Sequence, residues 1–231
     1  MSTVVFCTPF LEKPTKHYLK SLKASVPAIE RAGWNHHLVQ EIGNPYISAA
    51  RSYALRKAMD VNPDVIMFID YDLSWKPDDL VTVLETEGDV VAGTYRYKKD
   101  EEEYMGALIE LPSGKPNVRH DGAIKAHSVP AGFLKVKMDA VRYFMRSYPE
   151  LLYGNPERYH VDLFSHGAHK GTWYGEDMAF SRNWRNISGE IWIVPNLDIT
   201  HWSGDKPFHG NYHEFLLRQP GGSKCNLSLD K

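Results

Sequence analysis

The sequence has few of the features that mark a secreted, membrane-bound or fibrous protein. Only Cys7 and Cys225 occur among 231 residues, so we expect no disulfide framework and a reducing compartment. There is no run of about 18 apolar residues, and the first ten residues lack a basic region followed by a long apolar stretch. We therefore expect a cytoplasmic protein without an integral membrane segment.

The chain also lacks a strong net charge, internal repeats and low-complexity tracts. Its formal charge is −2 at pH 7, so no global field attracts nucleic acid, and no nucleic-acid partner is expected. The composition, 42% hydrophobic and 24% charged residues, is that of an ordinary globular protein. The length fits one domain with a substantial core.

The first half of the chain alternates strand and helix patterns. In chain order these are a strand (3–10), a helix (14–32), a strand (34–39), a helix (47–59) and a strand that ends at Asp70. Pro27 is expected to kink or split the first helix. This alternation is typical of a parallel α/β half.

The second half of the chain has a mixed pattern. It predicts a helix (77–85), a strand (89–95), antiparallel strands and loops (104–136), a helix (137–147), a long loop (148–172), a helix (175–186), one or two strands (189–202) and a loosely ordered tail. A loop as long as 148–172 in a compact domain is usually functional or mobile.

Two carboxylates follow the third predicted strand. The segment "MFIDYD" runs from apolar residues into Asp70 and Asp72, and the carboxyl end of such a strand opens on the crevice where α/β sheets bind ligands. Carboxylates one residue apart can share Mg²⁺ or Mn²⁺ and leave positions for phosphate oxygens. The pattern equally fits Asp70 capping the next turn and Asp72 facing solvent.

Three further segments carry candidate site residues. Arg51 lies in the first turns of a predicted helix, where its guanidinium is either a surface group or within reach of phosphate. Glu176 and Asp177 follow a glycine at a helix start, where acids also serve as ordinary caps. His201 ends a late strand, and a lone histidine is more often structural than a ligand.

Aromatic residues stand near these candidates in the sequence. They are Tyr95, Tyr97, Trp173, Tyr174, Trp202 and Phe208. Flat rings suit the apolar faces of sugars, although tyrosine and tryptophan are also common core residues. Core packing is favoured for each of them except Trp173 and Trp202, for which both interpretations stay open.

Taken together, these segments resemble a GT-A-type nucleotide-sugar glycosyltransferase. The resemblance rests, in chain order, on "CTPF", "SAARSYAL", "MFIDYD", "DVVAGTYRYK", "VPAGFLKVK", "YGEDMAFSRNWR" and "THWSG", and it spans roughly residues 3–205. Small stand-alone enzymes of this type occur in large viruses, phages and bacteria, so for a viral protein the expected location is the host cytoplasm.

The resemblance implies an α/β fold with a single GT-A-like domain. Its central sheet would be Rossmann-like and mostly parallel, with helices on both faces and a mixed antiparallel C-terminal half. The implied boundaries are a domain over 1–215, with a nucleotide-sugar-binding half (1–95) and an acceptor-binding half (96–215), and a tail over 216–231.

The resemblance also implies roles for individual residues. The implied donor-binding residues are Thr8, Pro9, Phe10, Arg51, Asp70, Tyr71 and Asp72. The implied holders of Mn²⁺ or Mg²⁺ are Asp70, Asp72 and His201, with Asp70 toward the ribose or the water shell of the metal. In an inverting reaction Asp177 would be the base for the acceptor hydroxyl, with Glu176 as second candidate.

The implied activity is that of a glycosyltransferase of the hexosyltransferase type. The donor would be a nucleoside-diphosphate sugar, with UDP-sugar favoured and GDP-sugar possible, and the acceptor a hydroxyl of a glycan or glycoprotein. Two alternatives stay open. A phosphatase of the haloacid-dehalogenase type would use Asp70 as nucleophile, with Ser74 in place of the usual threonine; a non-catalytic carbohydrate-binding protein would rely on the aromatic residues.

Overall fold

The computed structural model describes residues 1–219, which form fifteen strands and six α-helices. The strands are β1 (Ser2–Phe10), β2 (Trp34–Ile42), β3 (Val65–Ile69), β4 (Leu73–Ser74), β5 (Val90–Gly93), β6 (Ala107–Leu108), β7 (Ile124–Ser128), β8 (Phe133–Lys137), β9 (Leu152–Tyr153), β10 (His160–Val161), β11 (Gly167–His169), β12 (Thr172–Tyr174), β13 (Ile191–Val194), β14 (Asp198–Ser203) and β15 (Lys206–Asn211). The helices are α1 (Lys16–Arg31), α2 (Ile47–Met59), α3 (Pro77–Glu85), α4 (Met138–Ser147), α5 (Glu176–Asn186) and α6 (Tyr212–Arg218), with a 3-10 turn at Pro149–Leu151.

One eight-stranded mixed sheet organises the protein. Its strand order is β2-β1-β3-β8-β5-β13-β7-β6. The pairs β1–β2, β1–β3 and β5–β13 are parallel, whereas β8 runs antiparallel to both of its neighbours, β3 and β5. The α/β prediction and the mixed second half are confirmed, and the sequence pattern did not reveal that an antiparallel strand fills the centre of the sheet.

Helices cover both faces of this sheet, and β1 shows why. Successive side chains of a strand point to opposite faces, so Val4 and Phe6 pack in one apolar cluster and Val5 and Cys7 in another. Helices α1 and α3 cover the first cluster, and α2, α4 and α5 cover the second. A strand buried on both faces explains the unbroken apolar runs in β1 and β3.

A second, three-stranded antiparallel sheet lies beyond the end of β3. Its order is β15-β14-β4, and β4 begins three residues after Asp70. The pairing sets His201 opposite Leu73 and Thr200 opposite Ser74. This small sheet therefore brings a late strand of the chain directly beside the acidic turn that follows β3.

Several predicted elements differ from the structure. Pro27 lies inside α1, which is one helix rather than two. The predicted long loop (148–172) contains short paired strands, β9 with β10 and β11 with β12. Strand β15 was not predicted, and α6 continues to Arg218, inside the predicted tail. The rest of that tail, from residue 220, lies outside the described residues.

None of the helices in residues 1–219 combines the length and the apolar character needed to cross a membrane. The predicted cytoplasmic location stays a prediction.

Candidate active site

The predicted site residues lie around the carboxyl ends of β1 and β3. These strands are parallel neighbours, so their ends share one edge of the sheet, where α/β proteins bind ligands. The turn after β3, residues 70–72, is held by backbone hydrogen bonds to three distant parts of the chain. The partners are Gly132 for Asp70 (2.9 Å), Thr15 for Tyr71 (3.1 Å) and Trp202 for Asp72 (2.9 Å).

Arg51 connects two of the predicted acids inside the protein. Its two terminal nitrogens donate to Asp70 Oδ1 (2.8 Å) and to Glu176 Oε1 (2.7 Å). Burial lowers the pKa of Arg51, but the Asp70 and Glu176 carboxylates outweigh it and raise the pKa overall. A direct contact of Arg51 with phosphate, one of the two alternatives that the sequence left open, would require one of these ion pairs to open.

Asp70 shares a narrow space with Tyr95 and Gly132. The Tyr95 hydroxyl donates to Asp70 Oδ2 at 3.4 Å. Burial, together with the Asp70 charge, raises the pKa of Tyr95 well above its usual value, so the hydroxyl keeps its proton. A Cβ at Gly132 would overlap both Tyr95 Oη and Asp70 Oδ2. Position 132 therefore requires glycine, because there is no space for a side chain.

Asp72 is 8% exposed and faces two basic side chains. Its Oδ2 atom forms an ion pair with Lys98 Nζ and lies 3.6 Å from His201 Nε2. Burial alone would raise the pKa of Asp72, but the neighbouring His201 and Lys98 side chains reverse this and lower it. Asp72 is therefore an anion within the protein, held at a point where basic groups converge.

The hydrogen bond of His201 fixes which ring nitrogen faces Asp72. Nδ1 lies 2.9 Å from the carbonyl oxygen of Arg96, and since a carbonyl only accepts, Nδ1 must carry the proton. In the neutral ring Nε2 then keeps its lone pair toward Asp72. A backbone carbonyl on the second nitrogen is the usual arrangement of a metal-binding histidine.

Asp177 lies in the first turn of α5, and its environment differs from that of Glu176. Its Oδ1 atom accepts the backbone N–H of Met178 at 2.7 Å, and in residues 1–219 it forms no ion pair. Burial, and then the neighbouring Glu176 charge, raise the pKa of Asp177. Asp177 is thus a stronger base than an ordinary aspartate.

A cavity of about 190 Å³ adjoins the acidic turn. It is lined by Pro9, Phe10, Leu11, Asn44, Pro45, Ile47 and Tyr71. Three predicted donor-binding residues, Pro9, Phe10 and Tyr71, contribute to its wall. The side chain of Thr8 is fully buried and lies 2.6 Å from the Tyr18 hydroxyl, so Thr8 does not face this cavity.

The aromatic candidates divide by exposure. Tyr95 and Phe208 are buried, as the core interpretation predicts. Trp173 is 71% exposed on β12, four residues before Asp177. Trp202 stacks on His17, with ring centroids 3.4 Å apart, and its indole N–H donates to Ser74. Trp173 is therefore the most exposed of these aromatic candidates, and Tyr97, at 39% exposed, also departs from the core interpretation.

Sequence reasoning missed three contributors to this site. Lys98, the carbonyl of Arg96 and the small size of Gly132 each act on an acid or on His201 through contacts across the fold. Their segments, "TYRYKK" and "VPAGF", carry no local pattern that pairs a lysine or a carbonyl with residues more than 20 positions away. These contacts become visible only in the folded structure, where the chain after β5 passes beside the acids and His201.

Two of these side chains suit a divalent cation. Within residues 1–219, no three His, Cys, Asp or Glu side chains already surround a single point. Asp72 and His201 do converge, and a carboxylate with an imidazole suits Mn²⁺. Such ions are commonly bound by one or two carboxylates together with substrate phosphates. The donor set fits a cation that completes its shell from a phosphate ligand.

Comparison with solved structures finds related folds at low sequence identity. A197 from STIV matches with a TM-score of 0.52 and 14% identity, over 91% of this chain and 95% of that one. The catalytic domain of Drosophila beta1,4galactosyltransferase 7, in complex with xylobiose, matches with a TM-score of 0.50 and 15% identity, over 93% of this chain and 73% of that one. No protein-family model matches the chain, and no curated protein matches its sequence significantly.

These likenesses define the fold as that of GT-A-type glycosyltransferases. The predicted fold class is confirmed. The fold also counts against the phosphatase alternative, because enzymes of that type usually carry the D-x-D pattern on their first strand, whereas here two complete strands and two helices precede it.

Proposed function

We propose that the protein is a metal-dependent glycosyltransferase. It moves a sugar from a nucleoside-diphosphate sugar, UDP-sugar rather than GDP-sugar, to a hydroxyl of a glycan or glycoprotein. The observation that carries this proposal is the convergence of Asp72 Oδ2 and the Nε2 lone pair of His201 at the ligand-binding edge of a GT-A fold. The Drosophila galactosyltransferase with manganese, UDP-Gal and xylobiose, and GalNAc-T7 with UDP, GalNAc and Mn²⁺, support the choice of donor and metal.

Asp72 and His201 would hold the cation, Mn²⁺ or Mg²⁺. When bound, such an ion stabilises the negative charge that develops on the leaving diphosphate. Arg51 and Tyr95 already bind the two carboxylate oxygens of Asp70. We therefore keep the prediction that Asp70 contacts the cation through water, or contacts the ribose of the donor. Arg51 then acts by fixing the orientation of Asp70.

The apolar cavity beside Tyr71 would take the nucleobase of the donor. Its wall consists largely of proline, phenylalanine, leucine and isoleucine side chains, with Asn44 and Tyr71 as the residues that carry polar side-chain groups. Flat, weakly polar rings suit such a surface, and an amide can satisfy the hydrogen bonds of a base edge. Its volume of about 190 Å³ is sufficient for a nucleobase, and the two UDP-containing neighbours favour uracil.

Asp177 would accept the proton of the acceptor hydroxyl in an inverting reaction. Its pKa is raised and it lacks an ion-pair partner in the described chain, whereas Glu176 is neutralised by Arg51. This contrast ranks Asp177 ahead of Glu176 as the base. Trp173, exposed on the adjoining β12, offers a ring on which an acceptor sugar would stack.

The test is donor hydrolysis or transfer by the purified protein, with UDP- and GDP-sugars and with or without Mn²⁺. We expect Mn²⁺-dependent turnover of a UDP-sugar, which Asp72→Ala abolishes while the melting temperature stays close to that of the wild type. His201→Ala should weaken Mn²⁺ binding more than acceptor binding. The exposed Asp78, six residues from Asp72, gives the matched control Asp78→Ala.

Other outcomes would identify the alternatives. Hydrolysis of simple phosphate esters with a phosphorylated Asp70 would favour the phosphatase. Sugar binding that survives Asp72→Ala, in a protein that turns over no donor, would indicate a carbohydrate-binding protein. Manganese-dependent nucleotide affinity that is unchanged in Asp72→Ala would contradict the proposed metal site.

A further inference from the structure

Lys98 occupies the same carboxylate oxygen that faces His201. Its Nζ atom pairs with Asp72 Oδ2, and that oxygen lies 3.6 Å from His201 Nε2. Lys98 comes five residues after the end of β5, and its side chain is 34% exposed. The Lys98 ammonium group thus lies at the point where Asp72 and His201 converge. Because its side chain is partly exposed, it can move away from Asp72 toward solvent.

The chain around Lys98 contacts every residue predicted to hold the metal. Tyr95 donates to Asp70, the carbonyl of Arg96 accepts from His201, and Lys98 pairs with Asp72. The first two contacts are made by buried or backbone groups and orient their partners. The third is made by the end of a long flexible side chain, which makes it the exchangeable one.

We propose that Lys98 is an exchangeable counter-cation that holds Asp72 until a divalent cation replaces it and then pairs with the diphosphate of the donor. This inference rests on the proposed function. Lys98 would be a positioning residue for the metal and a binding residue for the donor.

The charges of the site support an exchange of cations. Three carboxylates, those of Asp70, Asp72 and Glu176, pair with two basic side chains, Arg51 and Lys98, and the carboxylate of Asp177 has no ion-pair partner in the described chain. A divalent cation on Asp72 repels the ammonium at the same oxygen, because like charges a few ångströms apart in a partly buried site interact strongly. Arg51 is buried between two acids and stays in place, so Lys98 is the group that moves.

The displaced ammonium would find its new partner in the donor. A nucleoside diphosphate brings negative charge to the same cation, and lysine binds phosphate as a flexible point charge. The exchange therefore makes two predictions of opposite sign: Lys98 weakens the binding of the free metal and strengthens the binding of the nucleotide once metal is present.

The test compares Lys98→Met with Lys99→Met, the same change at the adjacent lysine. Lys99 pairs with Glu103 and lies over the ring of Tyr97, away from Asp72. Mn²⁺ binding to the nucleotide-free protein is measured by the loss of the free-ion electron paramagnetic resonance signal. UDP binding at saturating Mn²⁺ is then measured by calorimetry.

We expect Lys98→Met to lower the Kd for Mn²⁺ by about tenfold or more and to raise the Kd for UDP by about tenfold. Lys99→Met should match the wild type in both. Lys98→Gln provides a second neutral variant if the methionine variant folds poorly, as judged by circular dichroism.

A Kd for Mn²⁺ that is unchanged or higher in the Lys98 variants overturns the exchange. An unchanged or lower Kd for UDP overturns the transfer of Lys98 to the diphosphate, and absence of Mn²⁺ binding in every variant overturns the whole inference. A different result would contradict the proposed function alone. In that result Mn²⁺ binds more tightly to Lys98→Met, but neither the wild type nor any variant binds UDP or turns over a nucleotide sugar.

Discussion

Asp177 and Glu176 are adjacent in the sequence but experience different surroundings. Glu176 is paired with the buried guanidinium of Arg51, whereas Asp177 is desolvated beside another negative charge, which raises its pKa. A carboxylate in the second environment holds a proton more readily. Within a single helical turn, Glu176 is thus an acid fixed in an ion pair, and Asp177 is an acid that takes up a proton more readily.

Replacing Asp177 should abolish transfer without unfolding the protein. Asp177→Asn keeps the side-chain oxygen that accepts from Met178 but removes the proposed base, so we expect a loss of about 10²–10⁴-fold in kcat. In the wild type, activity should fall on the acid side at a pH above the usual aspartate range near 3.9, because the base must be ionised. The pH profile of kcat checks this.

The stability of the same variant gives an independent control. A pKa raised in the folded state means that the ionised form of Asp177 opposes folding once the pH exceeds that pKa. At pH 7 the asparagine variant should therefore melt at or above the wild-type temperature. Transfer that persists at more than a tenth of the wild-type rate would contradict the role of Asp177 and favour a retaining reaction, which needs no such base.

The sequence predicted those site residues that carry a charged or metal-binding side chain close to the end of a predicted strand or helix. Asp72 follows β3 and Glu176 begins α5, whereas Arg51 lies in the second turn of α2 and His201 lies within β14. The fold pairs Arg51 with Asp70 and Glu176, and it brings His201 beside Asp72. Lys98 could not be predicted, because its partner is 26 residues away and its own segment resembles a solvated loop. Ion pairs of this kind depend on tertiary geometry alone.

At the scale of elements, one buried lysine joins a helix to the central strand of the sheet. Lys135 on β8 is 2% exposed, and its Nζ donates to the carbonyl oxygens of Leu84 (3.1 Å) and Thr86. These carbonyls belong to the end of α3, where helix carbonyls lack partners. Burial lowers the pKa of Lys135 to about 8.

Lys135→Met should destabilise the protein by about 1–3 kcal/mol, because two buried carbonyls lose their donor. From about pH 8 to the usual lysine value near 10.4, the unfolded chain keeps a proton that the folded wild type has released. Wild-type stability therefore rises with pH in this window relative to the variant. Urea unfolding at pH 7.5 and pH 10 measures both effects.

Lys137, two residues along the same strand and half-exposed beside Asp89, is the matched control. Lys137→Met should change the free energy of unfolding by less than about 0.5 kcal/mol. A Lys135 variant as stable as this control at both pH values would show that the helix end needs no donor from β8.

Elements with strong local signals were predicted accurately. Helices α2 and α3 have the predicted bounds; Pro77 suits the first helical position, and the acids after it suit the positive helix end. The central place of β8, the strand β15 and the two-strand pairs within 148–172 were not predicted. Strand pairing depends on partners distant in sequence, which a local pattern does not contain.

At the scale of the whole molecule, two sheets meet at the acidic turn, and a ligand that joins them should stabilise the entire fold. UDP with Mn²⁺ at about 100-fold its Kd would add roughly 2.7 kcal/mol, which for a chain of this size raises the melting temperature by about 5–10 °C. Thermal-shift measurements with UDP, Mn²⁺ and both together check this. We expect a synergistic shift that Asp72→Ala removes; shifts that are merely additive would speak against a shared site.

The pairing of β14 with β4 also bears on how the protein is made. Asp72 leaves the ribosome long before His201 and Trp202, and a growing chain emerges from its N-terminal end. Until β14 has been synthesised and has docked, the turn after β3 lacks both its imidazole and the Trp202 N–H that fixes it. For the proposed metal site, competence for a cation would therefore be acquired only after residue 202 has emerged, so an earlier nascent polypeptide would not bind metal or nucleotide at this turn.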